Sequence, residues 1–348
     1  MAVSGMISMI WHQKTFKPRP LPPHINLAGQ TAMITGSNVG LGFETAQELA
    51  LHGVSHLILA VRDISKGETA KAAILKNPKV PAISIEVWKL DQESWPSIVA
   101  FGERAAALPR LDMALLNAGV KFKERRESQN GHESMTAVNH LGTALLSLVL
   151  FPVLRRTTRD VRIPEGLGPS RLTFTSSSVA FWIPASEVQK PRLLEWLDNP
   201  ASFSKPEGSN AMRYSVTKLL SVFWIRELAA FVSNTAKGVR DSEEVVINYL
   251  NPGYCMSEFH RSDPGAGENS VGRHVAWSAA QGGYQCADAL VLHPNSHGCY
   301  LSEMKIRPEG KFVASAAGKV VQRQLWDETM AVFRRESPGP YLTEYEKW

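Results

Sequence analysis

The chain is predicted to fold as one α/β domain around a doubly wound sheet of seven parallel strands, on three observations. Short apolar runs alternate with helix-patterned segments from Thr31 to Leu292, as a parallel sheet covered on both faces requires. A glycine-rich turn, Thr35-Gly36-Ser37-Asn38-Val39-Gly40-Leu41-Gly42, joins the first run to the first helical segment. A length of 348 residues and an apolar content of 44% suffice for a sizeable core.

In chain order, Met1 to Ile10 is too short in apolar length to span a bilayer and lacks the basic region and cleavage site of a secretory signal, so a soluble extension is expected. Lys17 to Pro23 is proline-rich and therefore extended, which makes residues 1–26 an arm leading to the first strand. Strands are expected at Thr31 to Ile34, His56 to Val61, Ile83 to Leu90, Met113 to Leu116, Arg171 to Thr175, Val245 to Leu250 and Cys299 to Ser302. The intervening helices are Phe43 to His52, Ile64 to Leu75, Trp95 to Ala107, His132 to Arg155, Tyr214 to Val232 and Val271 to Leu292. Pro152 should kink or end the helix that holds it. Asp160 to Ser170 reads as a surface loop, and Val321 to Arg335 as an amphipathic helix in a helical tail, 307–348.

The formal charge of +5 is spread along the chain with no long basic run, which favours a solvated surface over nucleic-acid binding. Cys255, Cys286 and Cys299 are odd in number and lack CxxC spacing, so neither a disulfide framework nor a zinc site is expected, and a reducing, cytoplasmic compartment fits.

The glycine turn is where chemistry enters. A phosphate can approach a backbone only where no Cβ intervenes, and the N–H groups opening a helix attract its charge, so dinucleotide binding is the first hypothesis. The second strand ends at Val61 without a carboxylate and is followed by Arg62, whose planar fork of donors suits a 2′-phosphate; NADP(H) is expected over NAD(H), unless Arg62 pairs with Asp63 or lies in solvent. Asp91, past the third strand, is placed either to accept from an adenine amino group or to cap the next helix. Asn117-Ala118-Gly119 closes the fourth strand at the edge where such sheets bind ligands. Tyr214 and Lys218 are four apart on a helix and share a face, so the ammonium should lower the phenol pKa towards the range of useful acid-base work. Taken alone, that pair could equally be an exposed pair on an amphipathic helix.

With these pieces in order, the sequence resembles the short-chain dehydrogenase/reductase family from about Leu27 to Ile306, hence a domain at 27–306. The family pattern T-G-x-x-x-G-x-G is met by Thr35, Gly36, Gly40 and Gly42, and Y-x-x-x-K by Tyr214 and Lys218. The resemblance implies a Rossmann fold and a cofactor set of Gly36, Ser37, Asn38, Gly40, Leu41, Gly42, Arg62, Asp91, Asn117, Ala118, Gly119, Tyr214, Lys218, Pro252, Gly253 and Ser257. It places the catalytic serine among Ser176, Ser177 and Ser178, by count at Ser177, and the family asparagine at Asn139, holding a water that returns a proton to Lys218. Ser177 and Tyr214 would meet the oxygen of a carbonyl that receives hydride. His140 is read as packing or capping rather than acid-base chemistry.

The long interval from Val179 to Asn210 and the excursion at 255–275 are expected to form a lid for a bulky, partly aromatic or alicyclic substrate, against the plainer reading of a surface insertion. Ala60 to Asp63 and Val138 to Gly142 look like the retinol-dehydrogenase-like branch, whose membrane anchor is lacking here, which counts against a retinoid. The proline-rich arm and the tryptophan-rich lid are similar to fungal members that tailor polyketides and other secondary metabolites. NADPH-dependent reduction of a ketone or aldehyde on a hydrophobic small molecule is therefore expected, with no nucleic-acid partner and no membrane span. Family habit implies a homodimer or homotetramer through the long helices. The rivals are an NAD(P)-dependent alcohol dehydrogenase running oxidatively and a non-catalytic dinucleotide sensor.

Overall fold

A computed structural model of the chain describes residues 2–160, 168–203, 209–235, 244–256, 274–337 and 339–345. The sheet comprises β1 (Thr31–Thr35), β2 (His56–Val61), β3 (Ser84–Lys89), β4 (Met113–Leu116), β5 (Arg171–Thr175), β6 (Val246–Leu250), β7 (Tyr300–Ser302) and β8 (Lys305–Arg307), in spatial order β3-β2-β1-β4-β5-β6-β7-β8. The first seven run parallel, as expected. An eighth strand corrects the count: β8 pairs antiparallel with β7 across a two-residue turn in which Glu303 and Met304 take φ of 50° and 56°. That mirror-image turn usually announces itself with Asn-Gly or Asp-Gly, which is absent here. Met304 N–H is instead held by Gln285 Oε1 at 2.9 Å, a contact between distant segments.

Alternation along the inner strands divides the core. Ala32, Ile34, Leu57, Leu59 and Leu115 face one apolar cluster, and Met33, Ile58, Ala60, Ala114 and Leu116 face the other. The helices α2 (Gly40–Leu51), α3 (Ile64–Leu75) and α8 (Ala279–Val291) cover the first side. The second is covered by α4 (Trp95–Ala106), α5 (Ser134–Asp160), α7 (Ser209–Thr235) and α10 (Ala316–Glu336). Between α5 and α7 lie short turns and α6 (Leu193–Asp198); α9 (Lys311–Ala314) precedes α10.

Residues Ala2–Thr15 form a helix, α1, ahead of the proline-rich Lys17–Pro23 segment, which is non-helical as expected. Of the two outcomes expected at Pro152, a kink or an end, the helix does not end there and continues to Asp160. The C-terminal helix is no tail: Trp326 stacks on Trp224 of α7 with ring centroids 4.4 Å apart, both almost fully buried. Helix α5 is the one described helix long and apolar enough to cross a membrane, and 94% of its apolar window is buried inside the protein, as a core helix requires.

The strand order reverses between β1 and β4, which places a crevice at their carboxyl ends.

Candidate active site

A cleft of about 500 Å³ opens at that crevice. Gly36, Asn38, Gly40 and Leu41 of the glycine turn line it. Gly36 and Gly40 take φ of 64° and 59°, and a Cβ on Gly36 would stand 3.0 Å from the Ala118 backbone. Val39, the N-cap of α2, supplies no side-chain cap, so the first N–H groups of that helix are left for an anion. A pyrophosphate fits this cradle. Gly42 does not line the cleft; a Cβ there would lie 2.5 Å from Gly36 O and 2.7 Å from Asn117 Nδ2, so its smallness packs helix against turn. Ser37 is enclosed and does not line the cleft.

The turn is stapled to β4. Thr35 Oγ1 accepts from Asn117 N–H and Ala118 N–H, both at 2.9 Å, and Asn117 Nδ2 donates to Thr35 O at 3.0 Å. Asn117, Ala118 and Gly119 all line the cleft as expected.

Past β2, Arg62 and Lys66 border the cleft together, both exposed. Asp63 accepts from Lys66 N–H at 3.2 Å as the cap of α3 and, among the described residues, does not pair with Arg62. Asp91 lines the cleft while its carboxylate accepts from Glu93 N–H at 3.1 Å; Ser94 caps α4, so the capping alternative for Asp91 falls.

Ser176, Ser177 and Ser178 leave β5 along the cleft. Ser177 Oγ accepts from Val179 N–H at a long 3.4 Å, capping the short turn Ser178–Phe181, and Ser176 Oγ is buried without a partner. Tyr214 and Lys218, one turn apart on α7, complete this end. Lys218 Nζ donates to Thr175 O at 2.8 Å and lies 5.8 Å from the centre of the Tyr214 ring. Burial holds the Tyr214 phenol well above its usual range and pushes the Lys218 ammonium down to about 8. The expected lowering of the phenol pKa is thus not seen, because desolvation acts in the opposite direction.

Asn139 sits behind the wall in a π-helical segment of α5, Ala137–Gly142, a local irregularity common at functional sites. Its Nδ2 donates to Val120 O and Thr217 Oγ1 at 2.9 and 3.1 Å, its Oδ1 accepts from Val120 N–H at 2.8 Å, and its carbonyl accepts from Ser221 Oγ at 2.8 Å. Both side-chain donors are therefore committed, and a water could meet Asn139 only through an oxygen lone pair. His140 is buried, its pKa depressed by burial to about 3, with Nε2 2.9 Å from Thr329 Oγ1 of α10; it packs, as expected.

Pro252 and Gly253 line the cleft; Ser257 lies outside the described residues, as does most of the 255–275 segment. In the first expected lid segment, Val179 reaches the cleft. Val188, Leu193, Leu194 and Leu197 join the core instead, and Leu193 and Leu194 N–H donate to Glu328 of α10. Lining residues that sequence reasoning missed include Met9, Lys66, Phe122 and Tyr254. Lys66 was discoverable, being four residues past Arg62 at a helix start; Met9 had no local signal.

A doubly wound parallel sheet with a glycine-turn cleft, and with serine, tyrosine and lysine at its far end, defines a Rossmann-type dinucleotide-binding domain. Residues 30–161 match the family model described as short chain dehydrogenase. The short chain dehydrogenase sol3 of Alternaria solani is 44% identical over 87% of this chain and 99% of its own length. The short chain dehydrogenase/reductase mfmJ of Annulohypoxylon moriforme is 33% identical over 91% and 88%. Among solved structures, the Pseudomonas aeruginosa RhlG/NADP active-site complex shares the fold with a TM-score of 0.56, at 17% identity over 81% of this chain and 97% of that one. The chain belongs to the short-chain dehydrogenase/reductase family and is thereby an oxidoreductase.

Proposed function

We propose that this protein is an NADPH-dependent reductase of a ketone or aldehyde carried on a hydrophobic small molecule, in a cytoplasmic secondary-metabolite pathway of the fungal kind. One observation carries the reading: a continuous cleft runs from the uncapped start of α2, past Arg62 and Lys66, to Ser177, Tyr214 and Lys218. The fold neighbour bound to NADP supports the cofactor class, and the two short chain dehydrogenases of similar sequence support the chemistry.

The bound cofactor supplies hydride from nicotinamide C4. Tyr214 donates a proton to an oxygen gaining negative charge, with the Lys218 ammonium 5.8 Å from the centre of its ring. Ser177 hydrogen-bonds the same oxygen. Lys218, tethered to Thr175 O, adds positive charge beside the phenol. Asn139 keeps α5, α7 and the Val120 loop in register behind them.

Tyr214→Phe is expected to bind NADPH as wild type does, by fluorescence titration, and to lose roughly 10²–10⁴-fold in turnover. Unchanged turnover on a carbonyl panel removes Tyr214 from the chemistry, and tight NADPH binding by a wild type that oxidises none of it favours the sensor reading.

A further inference from the structure

Helix α1 reaches the cleft with one face. Met9 lines it, and Gln13, four residues on and so on the same side of the helix, is almost fully buried against the opposite wall of the same site. The contacts of Gln13 are those of an inserted peptide unit. Its Nε2 donates to Tyr254 O at 2.8 Å and to Val275 O at 3.2 Å, and its Oε1 accepts from Tyr254 N–H at 3.2 Å. Its main-chain carbonyl accepts from the Trp277 indole at 3.0 Å. The two chain segments so joined are also bonded to each other: Trp277 N–H donates to Tyr254 O and Met256 N–H to Trp277 O, both at 2.9 Å. Gly253, at φ 83°, leaves no room for a side chain, since a Cβ would stand 2.3 Å from the Trp277 ring and 2.6 Å from Gln13 Oε1. Pro252, Gly253, Tyr254 and Cys255 are cleft wall.

We infer that Gln13 is a positioning residue: from the N-terminal helix it fixes the Pro252–Cys255 wall of the cleft and thereby the affinity of the site for its dinucleotide. This rests on the proposed function only for the ligand; the placement of the wall does not. A buried side chain with three hydrogen bonds to two separate segments has no alternative partner when the helix leaves, so wall and helix move as one.

The test uses full-length Gln13→Met, which keeps the side-chain volume and removes the bonds. In ligand-free protein, iodoacetamide labelling mapped by mass spectrometry should be faster at Cys255 by about fivefold or more while Cys299 keeps its wild-type rate, and NADPH should dissociate at roughly tenfold higher concentration. A Cys255 rate within about twofold of wild type, or equal acceleration at Cys255 and Cys299, overturns the inference, the second because it reports general loosening. If Gln13→Met does not fold, Gln13→Glu, which turns a carboxylate towards the same carbonyls, is read by the same criteria. A wild type that fails to bind NADPH would defeat the proposed cofactor, and the Cys255 rate would still decide the role of Gln13.

Discussion

At the scale of single residues the candidate chemistry depends on which charge states the cleft stabilises. Lys218 has its ammonium pushed down to about 8 by burial, so it loses its proton in a range where most lysines keep it. If its positive charge assists Tyr214, kcat/KM for reduction should fall as pH rises through about 8. Lys218→Arg, always charged, should flatten that limb at whatever activity it retains; an unaltered limb would assign the ionisation elsewhere. Arg62 and Lys66 border the cleft side by side, so the phosphate preference should be shared between them. Arg62→Asp is expected to lower the ratio of kcat/KM for NADPH over NADH by about tenfold or more, and adding Lys66→Ala to lower it further. A wild type without phosphate preference would refute both assignments. Arg62 was readable from its place after an apolar strand. The direction in which the Tyr214 pKa moves was not, because desolvation depends on atoms brought from distant segments.

At the scale of elements, the π-helical segment of α5 and the segment between β5 and α7 show how the site is held from behind. Gly142 permits the first: a Cβ would stand 2.2 Å from Gln92 O. The second is tied down at His132, whose ring bonds Asp198 Oδ2 at 2.7 Å and Glu336 Oε2 at 3.0 Å, joining the start of α5 to α6 and α10. Burial alone would lower the His132 pKa, but the two carboxylates together raise it above its usual value. Its stabilisation is therefore fully present below the unfolded value of about 6.5 and fades as pH rises through the native one. Glu336 runs oppositely: burial would raise its pKa, but Arg335, His132 and Trp95 together hold it low, so its contribution is lost as pH falls through that lowered value. His132→Gln should cost about 2 kcal/mol near pH 6, roughly 3–5 °C in Tm, and much less near pH 9, by thermal melts across pH. An equal cost at both pH values would show that the bonds, not the charge, matter. Helix positions were legible here through apolar periodicity, whereas the partners of His132 lie 66 and 204 residues away in the chain.

At the scale of the whole molecule, the C-terminal helix alters what the long helices can do. Trp224 of α7 is covered by Trp326 and Phe333, and His140 of α5 by Thr329. Association through those faces would have to displace α10, against the burial of two tryptophans, at about 3–5 kcal/mol for truncating one such side chain. A dimer would accordingly have to use another face. The expectation of a homodimer or homotetramer came from family habit, and no local pattern in 316–336 says which surface that amphipathic helix will cover.

What the residue order determined without coordinates is what short-range rules govern: the alternation that makes a parallel sheet, the glycines that let a helix start meet an anion, and the Tyr214–Lys218 spacing on one helical face. Each is a matter of backbone geometry within a few residues. Only the tertiary structure decided that α1 walls the cleft, that Glu303-Met304 turns into an eighth strand, that Ile183, Val188, Leu193, Leu194 and Leu197 join the core, and that desolvation raises the Tyr214 pKa. Those outcomes are sums of desolvation and packing over groups far apart in the chain, which no window of sequence contains.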